Sequence, residues 1–307
     1  MPPPSRHPAA DLPPLPLDAW EDTKTTLHLY LQVVGKVRLA LMPPRNHWWH
    51  VTLYVASRGL TTRAVPYGGG GETMQIDLDL LDHRAVVTTS EGARRSFTLG
   101  LPVADFYREL FAALAELGVE VSIRPEPYDL AFDTPFPEDR EHRAWDPAAV
   151  QRFWRALVWS GGVLEEFAGR FAGKATPVHL FWHSFDLAYS RFSGRRAPEM
   201  EGAARVAREA YSHEVASFGF WAGDAQVREA TFYSYVWPLP DGLTGRPLRP
   251  EAARWLESDG NVQARLPYDA VRGSADPRAA LLDFLESAYQ AGAGAGGWPV
   301  EELRRDA

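Results

Sequence analysis

The sequence predicts an α+β protein made of two similar helix–antiparallel sheet–helix units packed as one compact body. Three observations lead to this prediction. Helical and strand-like hydrophobic patterns follow one another in the same order in each half of the 307-residue chain. Short turns separate the strands, which argues against a doubly wound parallel sheet. Residues 49–58 and 182–191 also share Trp, His, Ser and Arg at equivalent positions, which indicates an internal duplication.

The first half begins with a proline-rich stretch, residues 1–17, for which the composition predicts disorder. The first unit then spans residues 18–123. Apolar residues at helical spacing predict a helix from Trp20 to about Leu41, where two prolines follow and end it. Further patterns predict strands over 48–56, 74–80, 85–89 and 96–99, a helix over 103–117 and a strand over 119–123.

The second unit, residues 147–290, repeats this order after an irregular linker over residues 124–146 that is rich in proline and charge. Its first helix is predicted over 147–171, with a bend or an interruption at Gly161-Gly162. Later patterns predict strands over 178–192, 215–222 and 229–237, a helix over 277–290, and a flexible C-terminal tail over 291–307.

Composition narrows the class of protein. The 40 acidic and 32 basic residues give a net charge of −8, which does not favour nucleic acid or an anionic membrane as a partner. The absence of cysteine excludes disulfides and thiolate chemistry. The chain has neither a stretch of roughly 18 apolar residues that could span a membrane nor the apolar run of a signal peptide. We therefore expect a cytoplasmic protein.

The two copies of the repeated segment differ in a way that points to a site. Side chains alternate between the faces of a strand, so one face of the second copy carries Trp182, Ser184 and Asp186, where the first copy has aliphatic residues. A desolvated carboxylate has a raised pKa and suits general acid–base catalysis or the binding of a hydroxyl or amine. We predict Asp186 as the catalytic residue, Ser184 as ligand-binding and Trp182 as a wall. Alternatively, this face points to water, or Asp186 pairs with an arginine.

Arginines that flank a glycine predict an anion site at the end of the same strand. Glycine lets the backbone approach an anion, and the guanidinium groups of Arg191 and Arg195 match phosphate or carboxylate oxygens. The alternative is a solvated turn. His28, on the first helix, is a further candidate for ligand binding.

Metal and cofactor motifs are not predicted. His47 and His50 lie three residues apart, and His179 and His183 four apart; on the predicted strand the second spacing holds the rings apart. A metal site assembled across both copies from His28, His50 and His183 is the alternative. Neither a phosphate-binding loop nor a nucleophile elbow occurs in the sequence.

Several segments resemble an uncharacterised bacterial family, the domain of unknown function DUF5996, over roughly residues 15–290. They are Trp20-Glu-Asp-Thr, Leu27-His28, Gly35-Lys36, Gly59-Leu-Thr-Thr, Phe181-Trp-His-Ser-Phe-Asp-Leu-Ala and Arg191-Phe-Ser-Gly-Arg. The resemblance implies no activity, cofactor or catalytic residue. Asp186, Arg191 and Arg195 fit the family pattern. His183 stands where the family has a small residue, which argues against His183 as a catalyst.

These observations favour a soluble protein that binds a small polar or anionic molecule in a pocket on the second unit. If the protein is an enzyme, it transforms this molecule there. The alternative function is a non-enzymatic protein–protein interaction module. A buried, concave Asp186 face favours the first function, and a flat exposed apolar patch favours the second.

Overall fold

The structure is a computed structural model that describes residues 12–69, 71–258 and 260–305. Within these residues the fold is α+β, as predicted, with two six-stranded antiparallel sheets that are each preceded and followed by helices. The first sheet contains β1 (Tyr54–Ala56), β2 (Gly59–Thr61), β3 (Val65–Pro66), β4 (Thr73–Asp79), β5 (Arg84–Thr89) and β6 (Arg94–Thr98). The second contains β7 (His179–Phe181), β8 (Asp186–Arg196), β9 (His213–Trp221), β10 (Thr231–Trp237), β11 (Arg254–Ser258) and β12 (Asn261–Pro267). The main helices are α1 (Glu21–Leu41), α2 (Val103–Glu116), α3 (Pro147–Gly169), α4 (Arg205–Ala210), α5 (Tyr268–Arg272) and α6 (Pro277–Ala295).

Helix α1 packs against helices of both units. Tyr30 stacks on Phe106 of α2 with ring centroids 3.9 Å apart, and Trp20 contacts Phe153 of α3 at 5.1 Å. Helix α1 is therefore buried on several sides rather than along a single apolar stripe, which is typical of a helix inside a core. None of the described helices is long and apolar enough to cross a membrane.

The second sheet, with strand order β11-β12-β10-β9-β8-β7, presents two different faces. One face packs on α3 and α6 through aromatic rings, such as Phe218 against Phe167 at 5.0 Å. On the other face, the register places Asp186 beside Trp221, and Gly219 beside Tyr233. This second face carries the candidate site.

A β-bridge joins the two sheets. The amide of Leu53 donates to the carbonyl of Leu180 at 2.9 Å, and the amide of Leu180 donates back at 2.8 Å. The indole of Trp154 on α3 also donates to the carbonyl of Ala56 in β1 at 3.0 Å. The two units are therefore in direct contact. They share the order helix, sheet, helix, while their internal duplication stays a prediction.

Both ends of the described chain are packed, which corrects two predictions. Leu12, Leu15 and Leu17 are buried, so the predicted disorder over 1–17 is wrong for residues 12–17; residues 1–11 lie outside the described part. The leucines between the prolines provide apolar surface that folding buries. The predicted flexible tail over 291–307 is wrong for residues 291–298, since α6 continues to Ala295 and Trp298 is buried; residues 306–307 lie outside the described part.

Two local predictions inside the chain also fail. Residues 119–123 alternate like a strand but pair with no strand among the described residues. Helix α3 runs from Pro147 to Gly169, so the interruption predicted at Gly161-Gly162 does not occur; a bend there stays a prediction. Residues 124–146 contain no helix or strand, and within them Phe136 is fully buried.

Candidate ligand-binding site

A cleft of about 960 Å³ lies over the polar face of the second sheet. Strands β8, β9, β10 and β12 form its floor. Its walls are α1, the turn at residues 46–51, the irregular residues 122–130, and α4. Residues from both units therefore line one cavity.

Asp186, the first residue of β8, lies on the floor of the cleft and is 9% exposed. Its carboxylate accepts two hydrogen bonds, one from the Ser184 hydroxyl at 2.5 Å and one from the Tyr233 hydroxyl. Burial raises the pKa of Asp186, and the hydrogen bonds from Ser184 and Tyr233 oppose that rise. A buried carboxyl group in this state is suited to exchange a proton with a bound molecule.

Tyr233 reaches Asp186 because the residue between them is glycine. Tyr233 of β10 pairs with Gly219 of β9, which pairs in turn with Ala188 of β8. A Cβ atom at position 219 would lie 2.5 Å from the Tyr233 hydroxyl, so glycine leaves the space in which the ring crosses β9. Burial, followed by the charge of Asp186, raises the pKa of Tyr233, which keeps this hydroxyl protonated as a donor.

Two more hydroxyl pairs continue along the same floor. The hydroxyls of Tyr211 and Tyr235 lie 3.1 Å apart, and those of Ser190 and Ser217 lie 3.0 Å apart. All four residues line the cleft. They were missed in the sequence, although the alternation of Thr231, Tyr233, Tyr235 and Trp237 along β10 was a usable signal of a polar aromatic face.

The predicted strand over 178–192 is interrupted by a turn at residues 182–185, where Phe185 has a left-handed φ of 58°. Trp182 and Ser184 therefore do not share a strand face with Asp186. The Trp182 ring packs on α1, where a Cβ atom at Gly35 would lie 2.2 Å from it. The Trp182 indole donates to the carbonyl of Val51 at 3.0 Å. Trp182 and Ser184 nevertheless line the cleft with Asp186.

His28 fastens this turn to α1. Its Nε2 atom lies 2.9 Å from the carbonyl oxygen of Trp182 and 3.1 Å from that of His183, so Nε2 carries the proton and donates to both. Burial lowers the pKa of His28 to about 3, which keeps the ring neutral. His28 lines the cleft, but its donor is occupied by the backbone. Its role is to position the turn that leads into Asp186.

The two arginines predicted to bind an anion lie outside the cleft. Arg191 is on the opposite face of β8 and 1% exposed; its guanidinium donates to the carbonyl of Phe167 at 2.5 Å and stacks 3.6 Å from that ring. Arg195 pairs with Glu214 at 2.7 Å and donates to the carbonyl of Gly296. The anion site predicted at Arg191 and Arg195 is therefore not formed, because both guanidinium groups are used within the protein.

Backbone strain concentrates around the cleft. Among the described residues, six non-glycine residues have left-handed φ angles, and four of them line the cleft. These four are His47, Trp48, Asp129 and Phe185. Such conformations cost about 1–3 kcal/mol each and cluster at functional sites. No group of three or more histidine, aspartate or glutamate side chains that could hold a metal ion occurs in the ranges that the structure describes.

The fold and the site define an α+β protein with a polar, aromatic-walled cleft on one face of its second antiparallel sheet. The chain belongs to a family described as a family of unknown function, DUF5996, whose model matches residues 12–305. No curated protein and no solved structure shows significant similarity to it.

Proposed function

We propose that the protein binds a small polar organic molecule in the cleft, and that a hydroxyl or amine of this molecule is held at Asp186. The observation that carries the proposal is the buried carboxylate, oriented by Ser184 and Tyr233, at the floor of the cavity. The cavity volume of about 960 Å³ lies within the range of small-molecule sites. Buried polar groups in such sites fix the orientation of a ligand.

The walls favour a ligand with a flat or sugar-like face. Trp49, Trp221 and Tyr128 line the cleft beside the polar floor. Aromatic rings provide large apolar surfaces against which such ligands stack. If the bound molecule is transformed, Asp186 is the residue that exchanges a proton with it.

The alternative function, a protein–protein interaction module, has less in its favour. In the described ranges, the large apolar side chains that are exposed are Tyr128, Val158, Val206 and Leu239. Two of them, Tyr128 and Val206, belong to the cleft. A flat apolar patch, which the alternative requires, is not formed by these scattered residues.

Thermal-shift screening of a library of polar metabolites tests the proposal, because a ligand of the native state raises the melting temperature. The variant is Asp186→Asn, and the matched control is Asp139→Asn, a second buried carboxylate outside the cleft. We expect ligands that stabilise wild type and the control but bind Asp186→Asn about 10- to 100-fold more weakly, the effect of losing a charge-assisted hydrogen bond. Equal binding to both variants, or a library without ligands, would contradict the proposal.

A pair of tyrosine variants adds a second comparison. Tyr233→Phe removes the hydroxyl that donates to Asp186 and keeps the ring. Tyr189→Phe makes the same change on the opposite face of the sheet, near Arg191. We expect weaker ligand binding in Tyr233→Phe alone. An equal loss in both variants would indicate general destabilisation rather than a ligand contact.

A further inference from the structure

The charges of the cleft point to a second feature of its ligand. Four cationic side chains line the cleft, and within the described residues none of them forms a salt bridge with a carboxylate: Lys24, Lys36, Arg124 and Arg265. Many arginines elsewhere are paired, as Arg228 is with Glu21 at 2.6 Å. The cleft of a protein with a net charge of −8 thus contains four cations without a carboxylate at salt-bridge distance among the described residues.

Lys24 is the most deeply buried of these four cations. It is 9% exposed, and its ammonium lies 5.8 Å from the ring of Phe185, the residue that precedes Asp186. In the described part of the chain its ammonium has no hydrogen-bond partner. Burial lowers the pKa of Lys24, and the charge of Asp224 opposes that change. The side chain is largely removed from water, so an anion bound at this position would offset part of the desolvation cost.

Arg265 reaches the same end of the cleft from β12. It pairs with Tyr233 in the sheet register, and its guanidinium lies 5.7 Å from the ring of Trp221. Two of its nitrogens donate to the amide oxygen of Gln263, at 3.2 and 3.1 Å. The guanidinium thus remains charged and faces the cavity without a carboxylate at salt-bridge distance.

Asp224 is the carboxylate whose charge acts on both cations. One of its oxygens accepts from the amides of Gln226 and Val227, at 2.8 and 2.9 Å, which fixes it in its own loop. The charges of Glu21 and Glu229 also act on Lys24 and Arg265, respectively, but Glu21 pairs with Arg228 and Glu229 with Arg254. Among the described residues, no carboxylate lies at salt-bridge distance from either cation.

We propose that Lys24 and Arg265 form an anion subsite beside Trp221, so that the ligand carries a carboxylate or phosphate group as well as the hydroxyl or amine held at Asp186. This inference rests on the proposed function of the cleft. Trp221 links the two subsites, because it is the register partner of Asp186 and its ring lies 5.7 Å from the guanidinium of Arg265. A small hydroxy or amino acid, or a phosphorylated polar metabolite, matches this arrangement of charge.

Anion-dependent thermal shifts test the subsite, with inorganic phosphate and acetate as separate probes and chloride holding the ionic strength constant. The variants are Lys24→Met and Arg265→Gln. The control is Arg195→Gln, which removes a cation outside the cleft. We expect a saturable rise in melting temperature with at least one probe in wild type and Arg195→Gln, and an affinity at least about 10-fold lower in both cleft variants. The more effective probe distinguishes a phosphate from a carboxylate ligand.

The outcomes separate this inference from the proposed function. The anion subsite is overturned if neither probe raises the melting temperature of wild type, or if the rise is equal in all variants. In that case, metabolites that bind wild type but not Asp186→Asn would still support the proposed function. If instead the anions still stabilise Asp186→Asn and every metabolite binds it as tightly as wild type, the role of Asp186 is refuted and the anion subsite stands. Far-UV circular dichroism shows whether each variant is folded. If Lys24→Met does not fold, the result for Arg265→Gln alone tests the anion subsite.

Discussion

Asp186 loses most of its hydration when the chain folds and gains hydrogen bonds from Ser184 and Tyr233. Its pKa is raised above the ordinary value of 3.8, chiefly by burial. The folded state therefore holds the proton of Asp186 more tightly than the unfolded state does. Between these two pKa values the unfolded chain has released the proton while the folded chain retains it, so this residue makes stability fall as pH rises.

The Asp186→Asn variant makes this linkage measurable. Relative to wild type, its free energy of unfolding should increase as pH rises from about 3.8 through the raised pKa, and the difference should be constant above it. Urea unfolding of both proteins at a series of pH values measures the difference. A difference that changes in the opposite direction would mean that the native environment favours the ionised carboxylate.

The residues of the site show how far sequence reasoning reaches. Asp186 stood out because it lies where the first copy of the repeated segment has an aliphatic residue, and the cleft does contain it. Arg191 was predicted to belong to the same site. Because side chains of odd-numbered and even-numbered residues of β8 point to opposite faces, Arg191 lies on the face opposite to Asp186. Lys24, Tyr233 and Arg265 come from three other elements, and their meeting depends on tertiary packing that no local pattern encodes.

At the scale of elements, Gly35 and Gly162 make a matched test of helix packing. Gly35→Ala in α1 should destabilise the protein by about 1–3 kcal/mol, because the added Cβ would lie 2.2 Å from the Trp182 ring. Gly162→Ala in α3 has open space around its Cβ and should stabilise by about 0.5–1 kcal/mol. Chemical denaturation measures both. Equal effects would show that helix propensity alone decides at these positions.

Elements with a strong hydrophobic periodicity were predictable from the sequence, whereas the turn that interrupts the strand predicted over 178–192 was not. The alternation predicted over 74–80 corresponds to β4, and the apolar periodicity over 147–171 corresponds to α3. The turn at 182–185 was missed because that aromatic-rich run contains neither glycine nor proline, and its left-handed Phe185 is held by packing against Phe153 at 5.0 Å. A turn can be recognised from the local sequence when its residues have turn-forming backbone preferences. The turn at 182–185 is held by tertiary contacts instead.

For the whole molecule, the contacts between the two units predict a single unfolding transition. The Leu53–Leu180 bridge and the Trp154 bond to Ala56 are formed only when both units are folded. Urea unfolding followed by near-UV and far-UV circular dichroism should therefore give coincident curves. Two separated transitions would show that the units fold independently.

The bridge between Leu53 and Leu180 also bears on how the protein resists aggregation. It lies where the edge strands β1 and β7 meet, so each sheet shields an edge of the other from a second molecule. The opposite edges carry charges instead: Arg94 and Arg95 on β6, and Arg254 and Glu257 on β11. Exposed uncharged edges are templates for polymerisation through backbone hydrogen bonds. The contact that joins the two sheets thus also limits their self-association.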